Sequence, residues 1–143
     1  MNKVEKDILI NAPVDDVYKY WTEFENFPNI MHNVKSVTKI GDKTYHWVAE
    51  IGGKKVEWDA KVTEMEKNKA IAWASISGDK NSGQVRFVPQ DGGTHLFVTI
   101  VYDPPMGIVG ELGDKLTQRM SGDTEEDLKN FKKVMEGHEY AKH

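Results

Sequence analysis

Between Val34 and Asp103 the sequence alternates apolar and polar residues with a period of two, and turn residues cut it into short runs. Side chains on a strand alternate between faces, so this pattern dictates half-buried strands. Gly41-Asp42, Gly52-Gly53, Lys67-Asn68 and Asp91-Gly92 separate the runs. Connections this short join antiparallel neighbours. The spacing predicts strands over 34–40, 44–51, 55–65, 70–77, 83–88 and 94–103, with a loop over 78–82. One further strand, 4–11, comes before them.

Outside this stretch the period becomes 3.6. Pro13 with Asp15 and Asp16 suits a helix start, and Val14, Val17, Tyr18 and Trp21 form its apolar face. A second short helix or turn covers Phe24 to Met31. From Met106, Ile108, Leu112, Leu116 and Met120 recur on one helix face. A capping pattern from Asp123 to Glu126 predicts a restart there, and Leu128, Phe131 and Met135 then carry the face to about Gly137. The expected class is α+β: a curved antiparallel sheet of about seven strands, two short helices after strand one, and a long C-terminal helix covering the apolar face.

The 143 residues suit one domain, 1–143. A chain of this length buries roughly 70% of its unfolded surface and needs no disulfide or metal to fold. The absence of cysteine excludes thiol catalysis and thiolate zinc sites. No apolar run reaches the ~18 residues of a membrane helix, and residues 1–6 lack the apolar core of a signal peptide. A cytoplasmic location and no stable membrane insertion are expected. The net charge is −4, with charges interspersed and no basic stripe, so nucleic acid is not an expected partner.

Two-residue turns fix register. A turn at Gly52-Gly53 sets Trp47 opposite Trp58, Tyr45 opposite Ala60 and Ala49 opposite Val56. A turn at Lys67-Asn68 sets Val62 opposite Trp73 and Ala60 opposite Ser75; one at Asp91-Gly92 sets Phe87 opposite Leu96 and Val85 opposite Val98. One face then gathers Tyr45, Trp47, Trp58, Trp73, Ser75 and Ser77, with Phe87, Val98, Ile100 and Tyr102 from the last hairpin. His46, Glu57, Asp59 and Lys61 fall on the opposite, solvated face. An aromatic enclosure with a few hydroxyls suits a hydrophobic ligand. A solid core made of the same side chains is the competing reading.

Asn11-Ala12-Pro13-Val14-Asp15-Asp16-Val17-Tyr18, Trp21, Phe27-Pro28, Val56-Glu57-Trp58-Asp59, Gly83-Gln84-Val85-Arg86-Phe87 and Tyr102-Asp103-Pro104-Pro105 resemble the START/Bet v 1-like (SRPBCC) superfamily. Within it the chain is similar to the bacterial polyketide cyclase/dehydrase group, related to the coenzyme Q-binding START proteins. The resemblance spans nearly the whole chain and implies a helix-grip fold, with a cavity between sheet and C-terminal helix. It also implies a mouth near the loop from Asp103 to Gly110. The expected ligand contacts are Tyr45, Trp47, Trp58, Trp73, Ser75, Phe87, Val98, Ile100 and Tyr102 from the sheet, together with Ile108, Leu112, Leu116 and Met120.

A cyclase needs a positioned acid or base. The concave face offers Tyr102 as a candidate general acid but no charged side chain; His32 and Glu25 lie where register is undefined. His46 and Asp59 pair on the outer face, where such pairs are worth under ~1 kcal/mol. The histidines lack metal-ligand spacing, and no phosphate-binding glycine loop or nucleophile elbow is present, so no metal or cofactor is expected. Three functions remain: a binder or carrier of a lipid, quinone or polyketide-like molecule; a polyketide cyclase/dehydrase; or an interaction module with a filled core. The expected assembly is a monomer or weak homodimer.

Overall fold

A computed structural model of the chain describes residues 2–103 and 110–141, with side chains as far as Gly137. Seven strands form one antiparallel sheet: β1 (Asn2–Ile10), β2 (Val34–Gly41), β3 (Thr44–Ile51), β4 (Lys54–Glu66), β5 (Ala70–Gly78), β6 (Asn81–Gln90) and β7 (Gly93–Tyr102). Their spatial order is β1-β7-β6-β5-β4-β3-β2. Strands β2 to β7 are a plain meander. The segment joining β1 to β2 must therefore travel from one sheet edge to the other. It does so through α1 (Val14–Thr22), a 3₁₀ turn (Phe24–Asn26) and α2 (Phe27–Ile30). On the way it buries Trp21, Phe24 and Phe27.

The expected registers hold. Trp47 pairs with Trp58, Ala60 with Ser75 and Val62 with Trp73, and Phe87 with Leu96. The Gly52-Gly53 and Asp91-Gly92 turns have positive φ at both positions, as the type I′ hairpin demands. Between β4 and β5 the turn is longer than expected. Glu66 pairs with Ala70, and a bulge between Val62 and Glu64 absorbs the extra residue. A second irregularity, opposite Asp59 and Ala60, turns Ser77 over to the outer face. There its hydroxyl donates to Asp59 Oδ2 at 3.0 Å. Between β5 and β6 only Asp79 and Lys80 intervene, so the expected loop is a tight hairpin.

The long helix α3 (Glu111–Ala141) runs without a break through Ser121-Gly122-Asp123. The expected restart at Asp123 does not occur. The polar residues there occupy helix positions, and two of their neighbours, Thr124 and Asp127, are buried. The buried stripe runs through Leu116, Met120, Leu128, Phe131 and Met135. Leu112 departs from it and is 59% exposed. At about 100° per residue, Leu112 lies about 100° from the line through Gly113, Met120 and Phe131. The start of α3 is tied to the sheet by polar contacts. Tyr102 and Thr117 share a hydrogen bond of 3.0 Å, and Asn2 Nδ2 donates to Thr117 Oγ1 at 2.8 Å.

Among the described residues no helix is long and apolar enough to cross a membrane.

Candidate functional site

The concave face of the sheet is dominated by indoles. Trp47 lies between Trp58 and Trp73, with ring centroids 5.8 and 5.6 Å away and interplanar angles of 10° and 15°. Cross-strand pairing of Trp47 with Trp58 brings the first two together. Phe27 closes the stack edge-on, 5.1 Å from Trp47 and 5.4 Å from Trp73. Much of the concave volume is therefore filled with aromatic side chains.

A cavity of about 60 Å³ remains beside this stack. Its sheet walls are Trp47, Ala49, Ile51, Trp58, Trp73 and Ile100. The segment before β2 adds Phe27, Met31 and Asn33, and β2 itself Val34; Asn81 and the α3 residues Met120, Thr124 and Asp127 complete it. Of the residues expected to touch a ligand, Trp47, Trp58, Trp73, Ile100 and Met120 stand in this wall. Others lie elsewhere. Tyr45 packs on Phe24 at 5.0 Å, Phe87 on Tyr18 at 5.3 Å, and Val98 is core. Ser75 Oγ accepts from the Asn81 backbone N–H at 3.1 Å. Tyr102 is buried, with its hydroxyl on Thr117. Ile108 and most of the expected mouth, 104–109, lie outside the described residues.

Two further hollows lead outward. One of about 40 Å³ shares Asn33, Ile51 and Met120 with the cavity. It also shares Gly52, Leu116 and Arg119 with a more open groove of about 230 Å³, where Leu112 and Lys115 stand. The route runs between the β3–β4 turn and the first half of α3.

The wall contains one carboxylate, Asp127, which sequence reasoning missed. His32 Nδ1 donates to Asp127 Oδ1 at 2.6 Å, and the His32 backbone N–H donates to Oδ2 at 3.3 Å. His32 Nε2 stands 3.8 Å from Asp123 Oδ2. Asp127 is 5% exposed. Burial pushes its pKa above the ordinary carboxylate value, and the hydrogen bond from His32 opposes that rise. The missing signal was periodic. Asp127 follows Met120 by seven and precedes Phe131 by four, so it sits on the buried stripe.

On the outer face His46 Nδ1 and Asp59 Oδ1 are 2.7 Å apart, as their cross-strand register requires. The hydrogen bond to Asp59 raises the His46 pKa, and the same bond lowers that of Asp59.

Residues 10–129 match the family model described as polyketide cyclase / dehydrase and lipid transport. The chain belongs to this family. Its architecture is the helix-grip fold, which a START superfamily protein from Mycobacterium smegmatis shares. A 17.2 kDa protein from the melC2–rnhH intergenic region of Streptomyces lincolnensis is 35% identical over 138 residues, covering 95% of this chain and 91% of that one. The crystal structure of DR_A0006 from Deinococcus radiodurans has a TM-score of 0.76 at 29% identity, covering 93% of this chain and 96% of that one. Zhui aromatase/cyclase from Streptomyces sp. R1128 shares the fold, with a TM-score of 0.70 at 17% identity over 93% of this chain and 94% of that one. Membership of the polyketide cyclase/dehydrase and lipid transport family is consistent with hydrophobic ligand binding.

Proposed function

We propose that the chain binds or carries a hydrophobic small molecule, of lipid, quinone or polyketide type, in the cavity between sheet and α3. The observation that carries this reading is the wall itself: three indoles, Phe27 and aliphatic side chains, interrupted by few polar groups. The cavity of about 60 Å³ is smaller than the about 150 Å³ that accepts benzene in an engineered core. Binding a ring therefore requires wall side chains to move. Met31 and Met120 are suited to this, because an unbranched thioether changes rotamer at little cost. The outer hollows supply room for the rest of a longer ligand.

Native mass spectrometry of protein purified without detergent, followed by solvent extraction, tests the reading. An apolar molecule that co-purifies, and is lost in Trp58→Ala or Trp73→Ala while the fold survives, is the expected result. A clean apo mass with no tryptophan fluorescence response to quinones, fatty acids and polyketides would sink it, leaving a filled core with an interaction role.

A cyclase or dehydrase reading is favoured by one observation, the buried wall carboxylate Asp127. A carboxyl group with a raised pKa can hold or give up a proton closer to neutral pH. Tyr102 is the less suited acid, since its hydroxyl is engaged by Thr117.

A further inference from the structure

We infer that the cavity holds a hydroxyl-binding site, in which an alcohol or phenol donates to Asp127 and accepts from the indole N–H of Trp47 or Trp58. This rests on the reading of the cavity as a ligand site, and adds the chemistry of the ligand's inner end.

Three polar groups in one wall carry the inference. The first is Asp127. Its oxygens each take one hydrogen bond from His32, and a carboxylate has about four acceptor positions. Lone pairs therefore remain. His32 is not a wall residue and its side chain is 56% exposed, while the Asp127 side chain is 6% exposed. The pair is divided accordingly: imidazole toward water, carboxylate toward the cavity wall.

The other two are the Nε1 atoms of Trp47 and Trp58. Both residues are wall residues, and both are more than nine-tenths buried. Neither Nε1 has a hydrogen-bond partner among the described residues. A buried N–H left unpaired costs the desolvation of a donor, and two such donors belong to residues of a wall whose other polar side chains are Asn33, Asn81, Thr124 and Asp127; an incoming acceptor that reaches either one recovers that cost. Trp21 Nε1 is also without a partner, but Trp21 is not in the wall and takes no part.

A hydroxyl answers both demands, because it donates one hydrogen bond and accepts two. An ammonium would satisfy Asp127 and offer nothing to an indole N–H. A carbonyl or carboxylate would accept from the indoles and give Asp127 no proton. The site thus selects a ligand ending in a hydroxyl from apolar molecules of the same shape.

Phenol, toluene and benzylamine test this on the intact chain, because they share a ring and differ in the group attached. The readout is the set of four indole N–H resonances in a ¹H–¹⁵N spectrum. Phenol is expected to shift Trp47 or Trp58 and to bind at least about tenfold more tightly than toluene, as a hydrogen bond to a charged acceptor implies. Asp127→Asn, which replaces the charged acceptor by a neutral amide, is expected to weaken that preference. Toluene binding as tightly as phenol to the unmodified chain, or benzylamine binding best, overturns the hydroxyl site and leaves the apolar cavity standing. If no compound moves any tryptophan resonance, the cavity reading falls as well. The phenol-to-toluene comparison needs no variant, so a folding defect in Asp127→Asn does not blunt it.

Discussion

The indole of Trp73 occupies the space that a β-carbon on Gly83 would need. The two residues pair across β5 and β6, and an ideal Cβ at Gly83 would stand 2.6 Å from Trp73 Cε2. Gly83→Ala must therefore push an indole that is itself held by Trp47 and Phe27. A loss of about 1–3 kcal/mol is expected from overpacking of this kind. Gly122→Ala is the control: its Cβ meets nothing within 4 Å, and in a helix interior it should gain up to about 1 kcal/mol. Urea denaturation of both variants checks the contrast, and equal stabilities would refute it.

The Asp127 carboxyl should titrate above the ordinary value of about 3.9. His32→Ala should raise it further, since burial remains and the opposing hydrogen bond is lost. Carboxyl ¹³C titration of the two proteins measures this. A fall in the variant would mean that burial is not the dominant cause.

On the outer face, His46 should titrate above about 6.5 and return toward that value in Asp59→Asn. The sign of the linkage follows. His46 has a raised folded pKa, so its contribution is complete below the unfolded value and is lost as pH rises through the folded one. Asp59 has a lowered folded pKa, so its contribution is complete above the unfolded value and is lost as pH falls through the folded one. A double-mutant cycle should thus find full coupling between about pH 3.9 and 6.5, fading on both sides. Coupling that does not change with pH would contradict the ion pair.

Tyr102→Phe should keep the fold and cost about 1 kcal/mol, the worth of one ordinary hydrogen bond. Thr117→Val should couple to it in a thermal-denaturation cycle, because the two hydroxyls share that bond. Independent effects would mean that the Tyr102 hydroxyl does not serve to fasten α3. If the chain has cyclase activity, its survival in Tyr102→Phe separates this anchoring role from acid catalysis.

The architecture was legible in the sequence because two-residue turns and strand alternation constrain each other. Trp47 opposite Trp58 follows from Gly52-Gly53 alone. Trp73 opposite Val62 was reached through a turn one residue too short, and the bulge near Thr63 restored the pairing. Ser77 went to the wrong face because a strand irregularity leaves no mark in the period-two pattern. The candidate site was read less completely. Its indoles were visible by register, but the one carboxylate in its wall comes from α3. There Asp123 and Glu126 suggested a helix start, and that reading drew attention away from the stripe position of Asp127. His32 could not be placed because the end of the β1–β2 connection, past Trp21, follows neither period.

The pairing of β1 with β7 sets an order of events for the growing chain. Val4 pairs with Ile100, and Ile10 with Thr94. The first strand to leave the ribosome has no partner until the last one follows. At about 5–20 residues per second, β1 waits several seconds with an open edge. The meander from β2 to β7 can zip up locally as it emerges, whereas closure of the sheet is the slow, long-range step. A chain halted before Thr94 would expose both β1 and the unpaired edge of β6, each a template for strands of another molecule.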